Sequence, residues 1–337
     1  MCVAMAYVCA NAQAYIYPIK LNPTACDSAA AQMNGEFKKT DDYTFQYWNN
    51  SFVPAMTKRT DGFLCILKET FPQAKGFVAN YYREMFNTTF IPNGPKAYML
   101  TVAILPFGGP CQINPATHKP DTKKFKPASE TDTWIYCYVN NPASFFPRSE
   151  KMIIQGEQHT VYTSHPYIGK WKGYDLFGSP EFLNGETWTT TGNVWCMVTR
   201  ENDKAFTQLS RRQYLQGLLD SNDEAYWNTA NGLQLKKNIT TYLQTQPLDS
   251  LKLHVLLYSH RDTDNCEEWF NPKAAKSPPS ALFVSRHAYW HAGEEEGAAQ
   301  MIVMRFRYNM GHWNDVEIKK TFQQRFPIDS LKDMLDK

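Results

Sequence analysis

MIVMRFRY, residues 301–308, sets apolar and cationic side chains in alternation. Ile302, Met304, Phe306 and Tyr308 share one parity, and Arg305 and Arg307 share the other. Successive side chains of a strand point to opposite faces, so this spacing predicts a β-strand with one buried face and one polar face. LKLHVLLY, 251–258, repeats the pattern less cleanly and predicts a strand with Leu251, Leu253, Val255 and Leu257 toward the core. AYMLTVAILPF (97–107) and TWIYCYV (133–139) are apolar runs rich in strand formers, expected in one sheet and separated by a loop of Pro, Lys and Thr. Between 140 and 190, Pro, Gly, Asn and Ser recur among stretches such as HTVYTSHPYIGKW, a pattern of short strands and surface loops.

Helix signals lie between these runs. In NVWCMVTRENDKAFTQLSRRQYLQGLLD, 193–220, a strand reaching about Thr199 meets a polar turn and then Ser210, with Gln213 three residues on, the signature of a capping box. Leu209 and Tyr214 flank it as a hydrophobic staple, and Tyr214, Leu215, Leu218 and Leu219 form the buried stripe. TDGFLCILKETF, 60–71, predicts a helix with Phe63, Leu67 and Phe71 on one side, Asp61 as its cap and Pro72 as its stop. Another helix is expected over 233–245, stopped by Pro247. Asn314 should open a helix carrying Ile318 and Phe322, and Asp329 a last short one with Leu331, Met334 and Leu335. NPKAAKSPPS, 271–280, reads as a linker. The expectation is an α+β fold, a mostly antiparallel sheet with several amphipathic helices, forming one unit over 15–337 with a soft boundary near 205.

Composition narrows the function classes. The chain has 337 residues, 43% hydrophobic and 20% charged, and can bury a full core without metal staples. Its net charge of +2 and scattered lysines and arginines offer no basic stripe for nucleic acid. The local cluster KPDTKKFKP, 119–127, reads as a solvated loop. Aromatic residues, at 14%, are abundant enough to build binding platforms as well as cores. MCVAMAYVCANAQA, 1–14, is an uncharged apolar run ending in a small-x-small pattern and reads as a signal peptide lacking its basic start; the competing reading is a buried first helix. No later run reaches the roughly 20 apolar residues of a membrane-spanning helix, so a soluble exported protein, periplasmic, surface-bound or extracellular, is expected. Export leaves Cys26, Cys65, Cys111, Cys137, Cys196 and Cys266, an even number compatible with disulfides. Cys137 and Cys196 sit in strand-like aromatic runs, where buried free thiols are the expectation.

VWCMVTREND followed by FTQLSRRQYLQGLL, the ending VEIKKTFQQRFPIDSLKDML, and the stretches GFVANYYREMF and TDTWIYCYVN together resemble a group of exported proteins of unknown function from Bacteroidetes-type bacteria. The likeness spans most of the chain at a low level. It implies export and a shared fold, and carries no catalytic residues.

Chemistry-bearing motifs are sparse. SRHAYWHAGEEEG, 285–297, puts His287 and His291 four residues apart. On a helix they would lie side by side and could chelate one ion with a nearby glutamate. On a strand they would stand roughly 13 Å apart, too far to share it. The aromatic, Pro- and Gly-bounded run before MIVMRFRY predicts a hairpin, so no metal is expected, and His287, Tyr289, Trp290 and His291 become the candidate ligand-binding face. His159 and His165 are expected to line a loop or sheet surface. Asp262, Asp264 and Glu267 form an acidic turn without the glycine and spacing of an EF-hand. A cysteine nucleophile assisted by His165 or His260, and Glu181 with Glu186 as glycosidase carboxylates, are weaker candidates. No Walker loop, GxSxG elbow or GxGxxG turn is present. The leading expectation is a non-enzymatic protein without a cofactor that binds a glycan or a protein partner. The alternatives are a secreted hydrolase, metal-assisted or carboxylate-based, and a structural envelope protein.

Overall fold

The computed structural model describes residues 23–42, 52–86, 89–90, 94–184, 191–200, 204–222, 224–258, 265–274, 277–290 and 298–336. Its strands are β1 (Phe37–Lys39), β2 (Phe77–Met85), β3 (Tyr98–Gly108), β4 (Lys126–Pro127), β5 (Trp134–Val139), β6 (Arg148–Ile154), β7 (Glu157–Trp171), β8 (Tyr174–Gly178), β9 (Thr191–Thr199), β10 (Phe206–Gln208), β11 (Leu256–Leu257), β12 (Ser280–Ser285) and β13 (Met301–Asn309). Its helices are α1 (Ala25–Ala30), α2 (Phe52–Thr70), α3 (Glu181–Asn184), α4 (Arg211–Ser221), α5 (Glu224–Trp227), α6 (Ala230–Thr245), α7 (Leu248–Lys252), α8 (Cys266–Trp269) and α9 (Trp313–Arg325). The α+β class is as expected.

These strands join one sheet in the order β1-β2-β3-β5-β13-β9-β8-β7-β12-β10, with β4 on β3, β6 on β7 and β11 on β12. The sheet is mixed, because β1 runs parallel to β2 while the other described pairs run antiparallel. The MIVMRFRY strand is central, with β5 on one side and β9 on the other. Its apolar parity behaves as the alternation requires: Ile302, Met304, Phe306 and Tyr308 enter a core that α2, α9 and the terminal 3-10 turn Ile328–Met334 cover. Cys137 and Cys196 both stand beside Met304 in this layer as free buried thiols, and burial pushes their ionisation well above the ordinary range.

The sheet continues past residue 205, since β9 precedes that point and β10 follows it. The 140–190 stretch, expected as short strands, contains the 15-residue β7. That strand shifts register between Tyr167 and Gly169, where Gly169 has φ +128°. Such a bulge bends its strand, letting β7 pair with β6 and β12 through its first half and with β8 through its second. Pro166, which cannot donate to a ladder, lies where the pairing with β12 is also irregular.

A second core lies under α4, α6 and α8, against β6, β7 and β12. The Ser210–Gln213 capping box forms as predicted, and Tyr214, Leu215 and Leu218 are buried. Gly217 lets α4 approach β6: a Cβ there would come within 2.6 Å of the Met152 sulfur. The helix expected at 233–245 begins earlier, at Ala230, because Thr229 caps it through the Gly232 N–H at 3.0 Å.

Other elements differ from their sequence patterns. The helix expected from Asp61 starts at Phe52, since Phe52, Met56, Thr60, Phe63 and Leu67 continue one buried stripe and Pro54 falls in the first turn, where its missing N–H costs nothing. Asp61 is therefore mid-helix and pairs with the buried Arg83, whose Nε donates to Thr60 Oγ1 at 2.8 Å. LKLHVLLY is not one strand: Leu251 lies in α7, Leu253 is 54% exposed, and strand pairing is confined to Leu256–Leu257 apart from an isolated bridge at His254. Asn314 lies inside α9, which His312 precedes, because the Asn314 amide donates to the Phe107 carbonyl at 2.8 Å instead of capping. Cys26 and Cys111 form a disulfide that ties α1 to the chain after β3.

Candidate functional site

The expected hairpin around SRHAYWH does not form. Strand β12 ends at Ser285, a 3-10 turn spans His287–Tyr289, and β12 and β13 pair with different strands. His291 lies outside the described residues, as do His260, Asp262, Asp264 and Glu186. Of His287 only its backbone place in the turn is described. Tyr289 and Trp290 are core residues, 0% and 5% exposed, and neither offers an open ring face. The Tyr289 hydroxyl donates to the Gln300 carbonyl, and Trp290 Nε1 donates to Ser285 Oγ at 3.1 Å. The turn brings these aromatics inward because their rings close a cluster with Phe206 and Phe90. Tyr289 has a positioning role: Arg200 lies over its ring at 4.7 Å and donates from Nη2 to its carbonyl at 2.9 Å.

The opposite parity of β13 builds a more distinctive surface. Cross-strand register aligns Tyr82, Thr101, Tyr136, Arg305, Trp195 and Phe177 in one row across β2, β3, β5, β13, β9 and β8. A parallel row runs Asn80, Ala103, Trp134, Arg307 and Asn193. Along β5 the rings of Trp134, Tyr136 and Tyr138 stack in turn, with centroids 6.1 and 5.8 Å apart. The Arg305 guanidinium sits 5.1 Å from the ring centres of both Tyr136 and Trp195, and His165 stacks on Trp195 at 3.7 Å. Trp134, Tyr136, Asn193, His165, Arg305 and Arg307 are half-buried, so the face combines order with access.

Hydrogen bonds hold these groups flat. Arg305 donates from Nε and Nη2 to Asn193 Oδ1 at 3.1 and 2.8 Å. Arg307 pairs with Asp132. His165 Nε2 faces the Ser144 carbonyl at 3.1 Å, which calls for the proton on Nε2 and leaves Nδ1 as an acceptor. Burial lowers the His165 ionisation below its ordinary value, favouring the neutral ring. Burial raises the phenols of Tyr136 and Tyr138, with the Arg305 charge opposing it, so both remain O–H donors at neutral pH.

Several polar atoms under this face have no partner. Asn80 Oδ1, Thr101 Oγ1 and Trp195 Nε1 are buried and unbonded, although buried polar groups ordinarily find a hydrogen bond. Beyond Phe177 and Met197 the surface runs into a cleft of about 590 Å³, walled by Tyr167, Phe283 and Leu256 and rimmed by Asp175, Arg200, Gln208 and His254.

Sequence reasoning identified the outward arginines of β13 and the sheet-surface position of His165, but not the face itself. Among the described residues, no group of three or more His, Cys, Asp or Glu side chains is placed to hold a metal ion. Glu181 lies in α3, where its carbonyl accepts from Lys319 Nζ at 2.8 Å. Cys137 and Cys196 lie on the helix-covered side, away from His165. No described helix is long and apolar enough to cross a membrane. No family model, curated protein or solved structure matches the chain.

Proposed function

We propose that this is an exported, non-enzymatic glycan-binding protein, with Trp134, Tyr136, Arg305, Asn193 and His165 as the binding face and the buried Trp195 as its backing. The observation that carries the reading is the pairing of two stacked, half-open rings, Trp134 and Tyr136, with the ordered, half-open polar groups of Arg305, Asn193 and His165 on one sheet surface. A pyranose chair presents apolar faces of C–H groups and, around them, polar hydroxyls. Aromatic faces cover the first, and guanidinium, amide and imidazole groups bond the second. Preformed side chains keep the ordering cost of association low.

The fixed arginine partners distinguish a sugar from a nucleic-acid strand. Arg305 is engaged by Asn193 and Arg307 by Asp132, whereas single-strand binders line their groove with cations for phosphates. The Cys26–Cys111 disulfide favours an oxidising compartment, in keeping with the apolar N-terminal run and the resemblance to exported bacterial proteins. The reading requires no cofactor.

A glycan array tests it. Wild-type protein should bind a restricted set of oligosaccharides, and Trp134→Ala or Arg305→Ala should weaken binding at least tenfold with little change in melting temperature. Silence on the array, or full binding by both variants, would refute it; retention on single-stranded RNA in place of sugars would reassign the face.

A further inference from the structure

The cleft of about 590 Å³ beyond Phe177 and Met197 has the volume of a small-molecule site. Its floor is aromatic. Phe145 packs edge-on against Phe177, with ring centres 4.8 Å apart, and against Phe283 at 6.3 Å, while Tyr167 meets Phe177 at 5.5 Å. Tyr167 comes from β7, Phe177 from β8 and Phe283 from β12, so the floor is gathered where β7 bends at its bulge and changes partners. Leu256 and Met197, both half-buried, extend the apolar lining.

The polar part of the lining is cationic. Arg200, Lys204 and Lys332 border the cleft, and Asp175 is the one acid among its described lining residues. Asp175 is already engaged, by Lys170 Nζ at 2.8 Å and by the Tyr167 hydroxyl at 3.3 Å. Arg200 is half-buried and held by neutral groups: its Nη2 donates to the Tyr289 carbonyl at 2.9 Å, and the guanidinium lies over the Tyr289 ring at 4.7 Å. Those contacts fix the guanidinium without cancelling its charge. Lys332 stands over the Tyr174 ring at 5.4 Å. Tyr174 begins β8 and Arg200 follows the end of β9, its antiparallel neighbour, so both cations reach the cleft from the same end of the sheet.

We infer that this cleft binds an amphiphilic carboxylate, its acid group on Arg200 and its apolar body on the rings of Tyr167, Phe177 and Phe283. A carboxylate matches the planar donor set of a guanidinium, and Lys204 and Lys332 add a field of the same sign at the mouth of the cleft. An apolar body gains by leaving water for the aromatic floor. A wholly polar anion would leave that floor unfilled, and a neutral hydrocarbon would leave the guanidinium unmatched. The site adjoins the glycan face, shares no residue with it and does not depend on that reading.

Calorimetric titration of the full chain with 4-phenylbutyrate and, separately, with octanoate tests a ring and a chain as the apolar body. At least one acid should bind saturably with one-to-one stoichiometry, and its alcohol, 4-phenyl-1-butanol or 1-octanol, should bind at least about tenfold more weakly. Arg200→Gln removes the charge, and Met197→Glu sets a like charge on the half-buried lining while leaving the Arg200–Tyr289 contact in place; each should weaken acid binding at least about tenfold, with the melting temperature reporting that the variant is folded. The comparison of acid with alcohol uses the unaltered protein and stands apart from the folding of either variant. Absence of binding by both acids, an alcohol that binds as tightly as its acid, or undiminished binding by either folded variant would each overturn the inference.

Discussion

The two faces of the central strands are made from alternate residues of the same short segments, yet follow opposite physical rules. On the helix-covered face, Phe306 touches Phe322 with ring centres 4.4 Å apart and also meets Phe182 and Tyr308. On the open face, one residue earlier, Arg305 lies between two aromatic rings and is held by an amide. The first arrangement excludes water and supplies stability. The second keeps polar groups ordered and half-exposed above buried polar atoms without partners, which cost stability. One strand can separate the two roles because its side chains alternate.

Substitutions that treat the faces alike should therefore give unlike results. Phe306→Ala is expected to destabilise the chain by about 3–5 kcal/mol through lost burial and a cavity, measured by urea unfolding. Arg305→Ala should cost under about 1.5 kcal/mol in the same experiment; equal losses would make the open face structural. Replacing Cys26 and Cys111 with serine should cost roughly 2–4 kcal/mol, the usual range for a native disulfide. That loss should appear on the wild type after reduction and be absent from the double variant on further reduction.

Acid titration gives a smaller, signed effect. The folded Asp315 carboxyl keeps its proton up to about pH 6, whereas the unfolded one releases it near its ordinary 3.8. The folded state thus binds more protons within that window, and stability falls as pH rises through it, by about 2–3 kcal/mol. Asp315→Asn should flatten the pH 4–6 dependence and be relatively more stable at pH 7. A steeper dependence, or no difference, would contradict the burial of that charge. Smallest in stability should be Trp134→Ala, about 1 kcal/mol or less for a half-buried ring, with its consequence confined to binding.

What the sequence disclosed follows from the range of each signal. The β13 alternation and the Ser210–Gln213 cap are local patterns backed by local energetics, and both elements form as read. LKLHVLLY misled because α7 takes its first residues and leaves Leu253 exposed, so parity alone overstated the strand. The aromatic, Pro- and Gly-bounded run before MIVMRFRY suggests a hairpin face with Tyr289 and Trp290 on it, but an inward 3-10 turn commits both to the core. The open face draws on residues near 80, 101, 136, 195 and 305, brought into register only by non-consecutive strand pairing. Its legible trace was the unexplained pair Arg305 and Arg307 on the polar parity.

Indole resonances offer the most direct test of the central claim that the open face of the sheet, and not the sealed one, meets the ligand. In a ¹H–¹⁵N spectrum recorded with the oligosaccharide that leads the array, the Nε1 signals of Trp134 and Trp195 should move while that of the buried Trp269 stays fixed. Stationary Trp134 and Trp195 signals at saturating sugar, or shifts confined to Trp227 and Trp313, would contradict the account.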